Sequence, residues 1–302
     1  MYMSQKLFNE DYLKHLCQKY SLTPSKKYGQ NYLVNPEPIE KMVNAAEIKK
    51  DDVVVEVGPG FGVLTLALAE KAKKVISFEI EKKLTTYWKN ITGHPERSEG
   101  SLLANERDSS AEPQNDKYKN IEIVWGNILY EFKGDGLKAG EYKVVANLPY
   151  QITSHVIRKF LEMENNPDML VLMVQKEVAE RICAQAGDMS VLAVSVQYYG
   201  KPEIVTFVPR SSFWPMPAVD SAVIKIKINK DNAGAKNNSE SFFKLVKAGF
   251  SSRRKMLIKN LSAVADRQAL RNLFKELGID EKVRAQELSV EQWKEIVAKL
   301  SF

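Results

Sequence analysis

The sequence predicts an α/β protein with a Rossmann-like, doubly wound sheet, followed by a small all-helical C-terminal region. Three observations support this class. Short apolar runs of strand length alternate with helical patterns over the first two thirds of the 302 residues. A glycine-rich turn directly follows the first long run. Residues 240–302 have helical periodicity without a strand pattern, so they predict a separate helical domain.

The N-terminal residues predict helices ahead of the first long strand. Apolar residues recur at helical spacing over 8–20 and again over 36–46. The polar stretch from Pro24 to Leu33 between them predicts a loop. Residues 1–25 are therefore expected to form an N-terminal helical extension.

Five apolar runs predict the strands of a parallel sheet. Helical patterns lie between most of them, which is typical of strand–helix–strand units. These runs place the catalytic domain at 26–228. The predicted strands are 52–57, 74–79, 121–125, 143–146 and 169–174.

Two polar segments interrupt this rhythm. Residues 92–117 are rich in Ser, Glu, Asn, Pro and Gly and have no aromatic residue, which predicts a flexible surface insertion. Residues 229–239 predict an interdomain linker because small and amide residues cluster there.

Composition excludes several classes of protein. No apolar run approaches the roughly 20 residues of a membrane span, and the first residues do not resemble a signal peptide. The two cysteines and three histidines lack metal-ligand spacing, so no metal site is expected. We therefore expect a reduced, cytoplasmic protein without a membrane partner.

Positive charge is concentrated near the C-terminus. The net charge is +6, and residues 93–116 carry −4, which leaves +10 on the rest. Residues 244–259 contain six bases and no acid. This segment predicts a surface that contacts phosphates, although a solvated helix face would have the same pattern.

The turn from Glu56 to Gly62 predicts a cofactor site. Glycines allow the backbone to approach a ligand closely. Glu79 ends the next strand, 21 positions after Gly58, which suits a carboxylate that binds ribose hydroxyls. The glycines Gly58, Gly60 and Gly62 do not follow the dinucleotide spacing, and an acid before them favours a cationic amino-acid group. The turn therefore predicts S-adenosylmethionine as the cofactor in preference to NAD.

The residues Asn147-Leu148-Pro149-Tyr150 follow a buried-strand pattern and predict the reacting group. The Asn147 oxygen and the next carbonyl can accept hydrogen bonds from an amino group on a planar ring. Pro149 restricts the backbone that carries these acceptors, and Tyr150 offers a face on which a flipped base can stack. The pattern predicts methylation of such an amine.

Asn127 follows the third predicted strand, where its side-chain oxygen could accept a hydrogen bond from an adenine amino group. A turn-forming Asn at a strand end is the plainer interpretation.

Several segments together resemble the small-subunit (16S) ribosomal RNA adenine dimethyltransferases, the KsgA/RsmA family. They occur in family order from about residue 26 onward. The segments are 27–33 (KYGQNYL), 56–62 (EVGPGFG), Glu79, 147–150 (NLPY), 175–181 (QKEVAER), 213–221 (FWPMPAVDS) and 250–255 (FSSRRK).

This resemblance implies a Rossmann-like class I methyltransferase domain with a small helical domain. It implies that four methyl groups pass to N6 of two adjacent adenosines, in a hairpin near the 3′ end of small-subunit rRNA within a pre-30S particle. A monomer is expected. The implied cofactor contacts are Asn31, Leu33, Gly58, Gly60, Glu79, Asn127 and Asn147. The implied base-stacking residues are Tyr150 and Phe213, and the implied RNA contacts are Arg253, Arg254 and Lys255.

The chain departs from the family pattern at two places, since members usually have Asp at the position of Asn127 and lack the 92–117 insertion. Two other functions remain open. One is a large-subunit rRNA adenine methyltransferase, against which Gly29 and Leu148 argue. The other is a ribosome-assembly factor that acts mainly by binding.

Overall fold

A central sheet organises the protein in a computed structural model, which describes residues 3–24, 30–93, 116–229 and 236–300. Within these ranges the chain forms nine strands. They are β1 (Tyr32–Leu33), β2 (Val53–Val57), β3 (Lys74–Glu79), β4 (Ile121–Trp125), β5 (Tyr142–Asn147), β6 (Met169–Gln175), β7 (Gly200–Val208), β8 (Phe213–Trp214) and β9 (Ser221–Ile228).

Helices cover both faces of the sheet and form the C-terminal region. In the described residues they are α1 (Met3–Lys6), α2 (Glu10–Lys19), α3 (Glu37–Ala45), α4 (Val63–Ala69), α5 (Thr85–Thr92), α6 (Ile128–Glu131), α7 (Thr153–Glu162), α8 (Lys176–Ile182), α9 (Val191–Tyr199), α10 (Lys236–Gly249), α11 (Leu257–Leu261), α12 (Arg267–Glu276) and α13 (Val290–Lys299).

The large sheet has the strand order β4-β3-β2-β5-β6-β9-β7. The five predicted strands are confirmed with nearly the predicted bounds, and they run parallel. The sheet also has an antiparallel part that the five predicted strands did not include, because β9 pairs antiparallel with both β6 and β7. The alternation of Ile with Lys225 and Lys227 in β9 was the available sequence signal.

Strand residues alternate between two apolar layers. Val54 and Val145 belong to the layer that contains α2, α3, α4 and α5. Their neighbours Val55 and Val144 face the layer that contains α7 and α9. The second layer continues into the C-terminal helices, where Trp293 is fully buried. The catalytic region and the C-terminal helices therefore share a continuous apolar contact.

A second, two-stranded sheet lies outside the large one. Tyr32 of β1 pairs with Trp214 of β8, and Leu33 pairs with Phe213, in antiparallel register. The backbone amide of Val34 also donates to the Ser212 carbonyl at 2.9 Å. This pairing connects the segment before α3 to the loop between β7 and β9.

Parts of the predicted segments lie outside the described residues. These are 94–115 of the predicted insertion and 230–235 of the predicted linker. The domain limits 1–25, 26–228 and 240–302 stay predictions. None of the helices in the described ranges is long and apolar enough to cross a membrane.

Candidate active site

A cleft opens at the carboxyl ends of β2, β3 and β5. The strand order reverses between β2 and β5, and ligands of open α/β sheets bind at such a point. The cleft contains about 1270 Å³ of empty space, part of it open to solvent. It brings together all seven predicted cofactor residues, namely Asn31, Leu33, Gly58, Gly60, Glu79, Asn127 and Asn147, and Pro149 lines it as well.

The glycine turn needs its glycines. Gly58, Gly60 and Gly62 have φ values of 71°, 53° and 89°, a region that other residues rarely adopt. A Cβ on Gly62 would also lie 2.7 Å from the Trp88 ring. The turn therefore presents bare backbone to the cleft while α5 packs directly behind it.

Glu79 is held in place by the backbone. One carboxylate oxygen accepts from the Gly60 amide at 3.1 Å and the other accepts from the Glu81 amide at 2.8 Å. The side chain is buried, and this burial raises its pKa above the usual range. A carboxylate oxygen has two lone pairs, so each oxygen can accept a further hydrogen bond from a ligand hydroxyl.

Glu56 is a second buried carboxyl group in the cleft wall. It is 1% exposed, and its Oε2 lies 2.6 Å from the Ser77 hydroxyl, which donates to it. Burial raises its pKa to about 7, with a smaller contribution from the nearby Glu79 charge. Glu56 therefore changes charge near neutral pH, beside the turn that would hold a cationic amino-acid group.

Asn127 forms the beginning of α6. Its side-chain oxygen accepts from the Leu129 amide at 3.0 Å, so it caps this short helix. The residue also lines the cleft. The turn-forming interpretation of Asn127 is thus confirmed, whereas its contact with an adenine stays a prediction.

Asn147 is the last residue of β5, and both Asn147 and the following Leu148 lie beside β6. Asn147 is opposite Met173, and the Leu148 amide donates to the Met173 carbonyl at 3.1 Å. The Leu148 side chain is buried. Within the described ranges, no hydrogen bond involves the Asn147 carboxamide or the Leu148 carbonyl. Two acceptors are thus held next to the cleft by a fixed strand end.

Pro149 and Tyr150 turn the chain away from the strand. Pro149 has φ −56° and ψ 127° and precedes a 3₁₀ turn over Tyr150–Ile152. The Tyr150 hydroxyl lies 2.8 Å from the Ser221 hydroxyl at the start of β9. Tyr150 is partly buried, which raises its pKa. The ring is therefore fastened to the antiparallel part of the sheet, whereas the cleft itself is lined by the neighbouring Pro149 and Gln151 and not by Tyr150.

Phe213 lies in the core. It is 4% exposed and belongs to the same apolar layer as Leu33 and Val208. The neighbouring Trp214 is partly exposed, and its ring lies parallel to that of Tyr32 at 6.2 Å. Stacking of Phe213 on a base stays a prediction, and it requires the β8 loop to move.

The N-terminal helices contribute cleft residues that the sequence did not indicate. Leu7 and Leu13 are both nearly fully buried and line the cleft. The helical spacing of Leu13 predicted that it packs against the protein, but no local pattern shows against which surface. Gln151 and Ile152, which directly follow Tyr150, also line the cleft.

The basic triplet Arg253, Arg254 and Lys255 is exposed. It follows a turn held by Asn260, a buried residue whose side-chain nitrogen donates to the carbonyls of Gly249 at 2.6 Å and Ser252 at 3.0 Å. The triplet lies between α10 and α11. Exposed bases on a rigid turn are suited to bind phosphate.

These features fit S-adenosylmethionine. Glu79 has free acceptor capacity for the two ribose hydroxyls, and Glu56 supplies negative charge for the amino-acid end. The glycine turn provides backbone without side chains, and the apolar wall, with Ile80 and Ile128, suits the adenine ring. The Asn147 acceptors lie in the same cleft, where an amine could meet a bound methyl donor.

Known proteins are similar to this chain over most of its length. The chain matches the family model described as Ribosomal RNA adenine dimethylase over residues 22–301. The Ribosomal RNA small subunit methyltransferase A of Dehalococcoides mccartyi is 38% identical, covering 93% of this chain and 90% of that protein. The protein of the same name from Clostridioides difficile is 37% identical, and the match covers 95% of this chain and 94% of that protein.

Solved structures show the same fold. A dimethyladenosine transferase from Plasmodium falciparum superposes with a TM-score of 0.70 at 27% identity, covering 87% of this chain and 95% of that chain. The 23S rRNA methyltransferase ErmE has a TM-score of 0.70 at 23% identity, covering 89% and 98%. At that identity ErmE supports the fold alone.

Proposed function

The chain belongs to the ribosomal RNA adenine dimethylase family, and on that premise we propose that it methylates N6 of two adjacent adenosines in small-subunit rRNA. The product is N6,N6-dimethyladenosine, and the methyl donor is S-adenosylmethionine. The observation that carries this proposal is the position of Asn147 to Tyr150, at the strand end that borders the cofactor cleft.

The cofactor residues act by holding the donor. Asn31, Leu33, Gly58, Gly60, Glu79, Asn127 and Asn147 are the proposed contacts. S-adenosylmethionine supplies an electrophilic methyl group on a sulfonium sulfur. Glu79 is proposed to bind the ribose, because both of its oxygens are already oriented by backbone amides.

Asn147 and Leu148 are proposed to orient the target amine. An exocyclic adenine amine is a poor nucleophile because its lone pair is delocalised into the ring. Hydrogen bonds from its N–H groups to the Asn147 oxygen and the Leu148 carbonyl favour a pyramidal nitrogen whose lone pair faces the donor. Positioning of this kind accounts for a large part of the acceleration, and no dedicated base is required since the methylated nitrogen is strongly acidic.

Tyr150 and Phe213 are proposed to stack on the flipped base. Stacking of a base on an aromatic side chain is worth about 1–3 kcal/mol. The bond between Tyr150 and Ser221 fixes the first ring before the base arrives. Phe213 lies deeper and would be exposed only after its loop shifts.

Arg253, Arg254 and Lys255 are proposed to bind the RNA backbone. They are exposed on a turn, and the surrounding segment carries six bases without an acid. The proposed substrate is rRNA within a pre-30S particle in the cytoplasm, bound by a monomer of this chain.

Methyl incorporation tests the proposal. Small subunits without these methyl groups are incubated with the protein and labelled S-adenosylmethionine, and the modified nucleosides are mapped by mass spectrometry. We expect N6,N6-dimethyladenosine at two adjacent positions with the wild-type chain. Asn147→Ala should reduce the rate more than 100-fold, whereas Asn90→Ala, which truncates an exposed amide on α5, should not change it.

Other results would support other functions. Methylation of large-subunit rRNA in place of small-subunit rRNA would identify the rival enzyme. Normal turnover by Asn147→Ala would exclude the proposed orienting role. Full correction of a subunit-assembly defect by Asn147→Ala, without methylation, would show that binding is the main cellular role.

A further inference from the structure

An exposed apolar corner lies at the β7 edge of the sheet. Phe207, Met216 and Val219 are 53%, 59% and 43% exposed. The Lys176 ammonium lies over the Phe207 ring, 5.2 Å from its centre. Arg210, which lies in the loop after β7, is also exposed. We call these five residues the Phe207 corner.

The Phe207 corner lies at the same end of the antiparallel strands as Ser221, the hydrogen-bond partner of Tyr150. Ser221, which bonds to the Tyr150 hydroxyl, is paired with Val208 on one side and Gln175 on the other. Phe207 directly precedes Val208, and Lys176 directly follows Gln175. The corner therefore begins one residue away from the strand positions that hold the stacking tyrosine, and the Phe207 ring lies on the opposite face of the sheet from the Val208 and Ser221 side chains.

The loop that carries the corner is tied to the sheet. The Arg210 amide donates to an Asp220 carboxylate oxygen at 2.9 Å, which closes the loop between β7 and β9. The Lys176 amide donates to the Asp220 carbonyl at 3.0 Å. These bonds hold the backbone of Lys176 and Arg210 in place. The position of Lys176 relative to Phe207 is therefore set before a ligand binds.

Charge and shape favour a nucleotide as the occupant. An exposed aromatic ring beside a cation is the combination that binds single-stranded nucleic acid, by stacking on a base and neutralising a phosphate. Among the described residues, the ion pair that Lys176 forms is a long contact with Glu180, at 3.9 Å, and the side chains of Lys176 and Arg210 both remain exposed. The corner has three exposed apolar side chains, whereas a specific protein interface involves about 20–30 residues a side.

We propose that the Phe207 corner binds an unpaired nucleotide adjacent to the target adenosine, with its base on Phe207 and its phosphate at Lys176. This inference rests on the proposed function, because it assumes that RNA enters the cleft beside Tyr150. Flipping one adenosine leaves its neighbour without a stacking partner. Phe207 replaces that partner and so stabilises the flipped arrangement.

Steady-state kinetics on unmethylated small subunits test this proposal. Phe207→Ala should raise KM for subunits about 5- to 100-fold, which corresponds to the range for one stacked base. KM for S-adenosylmethionine should not change. Phe207→Trp should restore a low KM because its ring also stacks. Lys176→Gln should reduce the slope of log KM against log salt by about 0.7, the value for one single-strand phosphate.

Tyr130→Ala is the matched control. Tyr130 is a 69% exposed aromatic residue that follows β4, at the opposite edge of the sheet. The proposal is overturned if Phe207→Ala changes KM for subunits by less than twofold, or no more than Tyr130→Ala does. Failure of the wild-type chain to methylate subunits would instead contradict the proposed function.

Photocrosslinking separates RNA from protein as the occupant. p-Benzoylphenylalanine in place of Phe207 should crosslink to rRNA within a few nucleotides of the two adenosines. A crosslink to a ribosomal protein, or to rRNA far from that hairpin, would overturn the proposal. Thermal unfolding of each variant should stay close to that of the wild type, because residue 207 is exposed on an edge strand.

Discussion

Tyr150 and Ser221 are joined through their hydroxyl groups at 2.8 Å, although they are 71 positions apart in the chain. Ser221 is fully buried, whereas Tyr150 is only partly buried. This bond connects the strand end that carries Asn147 to the antiparallel strand β9. It restricts the ring on which the target base is proposed to stack.

The two partners should respond differently to loss of this bond. Tyr150→Phe keeps the ring but leaves the buried Ser221 hydroxyl without a partner, so we expect the free energy of unfolding to fall by about 1–3 kcal/mol. Ser221→Ala leaves the less buried hydroxyl unpaired and should cost less. Both should lower kcat, as measured by methyl transfer to small subunits. An unchanged kcat in both variants would show that the bond does not position the ring.

Glu79→Gln should weaken binding of S-adenosylmethionine. The amide has one acceptor oxygen, so its NH₂ group would face the amide of Gly60 or Glu81. We expect Kd, measured by calorimetry, to rise about 10- to 100-fold, as for the loss of a hydrogen bond to a charged group. Glu81→Gln is the control, since the Glu81 side chain accepts from the Lys83 amide and does not line the cleft. Equal effects of the two substitutions would argue against the ribose contact.

Glu56 should make cofactor affinity depend on pH. Its pKa is raised to about 7 by burial, so the group gains its negative charge as the pH rises through 7. We expect Kd for S-adenosylmethionine to fall between pH 6 and pH 8. In the Glu56→Gln variant, Kd should stay constant over this pH range. Calorimetry across this pH range checks both expectations, and a persistent pH dependence in Glu56→Gln would assign it to another group.

Glu56 should also lower the stability of the fold as the pH rises, although it raises cofactor affinity over the same range. A folded-state pKa of about 7 lies above the ordinary value of 4.5, so the unfolded chain loses its proton first. The free energy of unfolding should therefore fall as the pH rises from 4.5 to 7, by about 3 kcal/mol. Denaturant titrations of wild type and Glu56→Gln isolate this contribution. A difference that grows with pH instead of shrinking would contradict the assignment.

Asn127→Asp should separate helix capping from cofactor binding. Asp caps a helix as well as Asn does, so thermal stability should not change. The added charge should strengthen binding of S-adenosylmethionine, because a carboxylate accepts a stronger hydrogen bond from the adenine amino group than an amide oxygen does. Asn127→Ala should lose the cap and about 1 kcal/mol of stability. Equal Kd values for Asn and Asp would show that residue 127 acts only as a cap.

Phe213→Leu should distinguish a core residue from a stacking residue. A swap of similar volume in the core costs less than about 1.5 kcal/mol, so the fold should survive. If the ring also stacks on the base, kcat/KM for small subunits should fall about 5-fold or more. Val34→Ile controls for disturbance of the small sheet, because the Val34 amide donates to the Ser212 carbonyl and Val34 does not line the cleft. A loss no greater than in that control would restrict Phe213 to packing.

Local patterns in the sequence were sufficient to predict the parallel strands and the glycine turn. Apolar runs between turn residues define β2, β3 and β5 whatever the rest of the chain does. Because parallel strands end at one edge, Gly58, Glu79 and Asn147 were bound to meet. The cleft followed from that single geometric rule.

Other features depend on contacts between distant segments. The antiparallel pairing of β9, the Leu13 wall of the cleft and the bond between Tyr150 and Ser221 each join residues far apart in the chain. The buried position of Phe213 likewise depends on its pairing with Leu33. The sequence by itself determined the chemistry of the site, because acceptor type and backbone freedom are local properties. Only the tertiary structure decided which side chains enclose that chemistry, because burial depends on what packs against each residue.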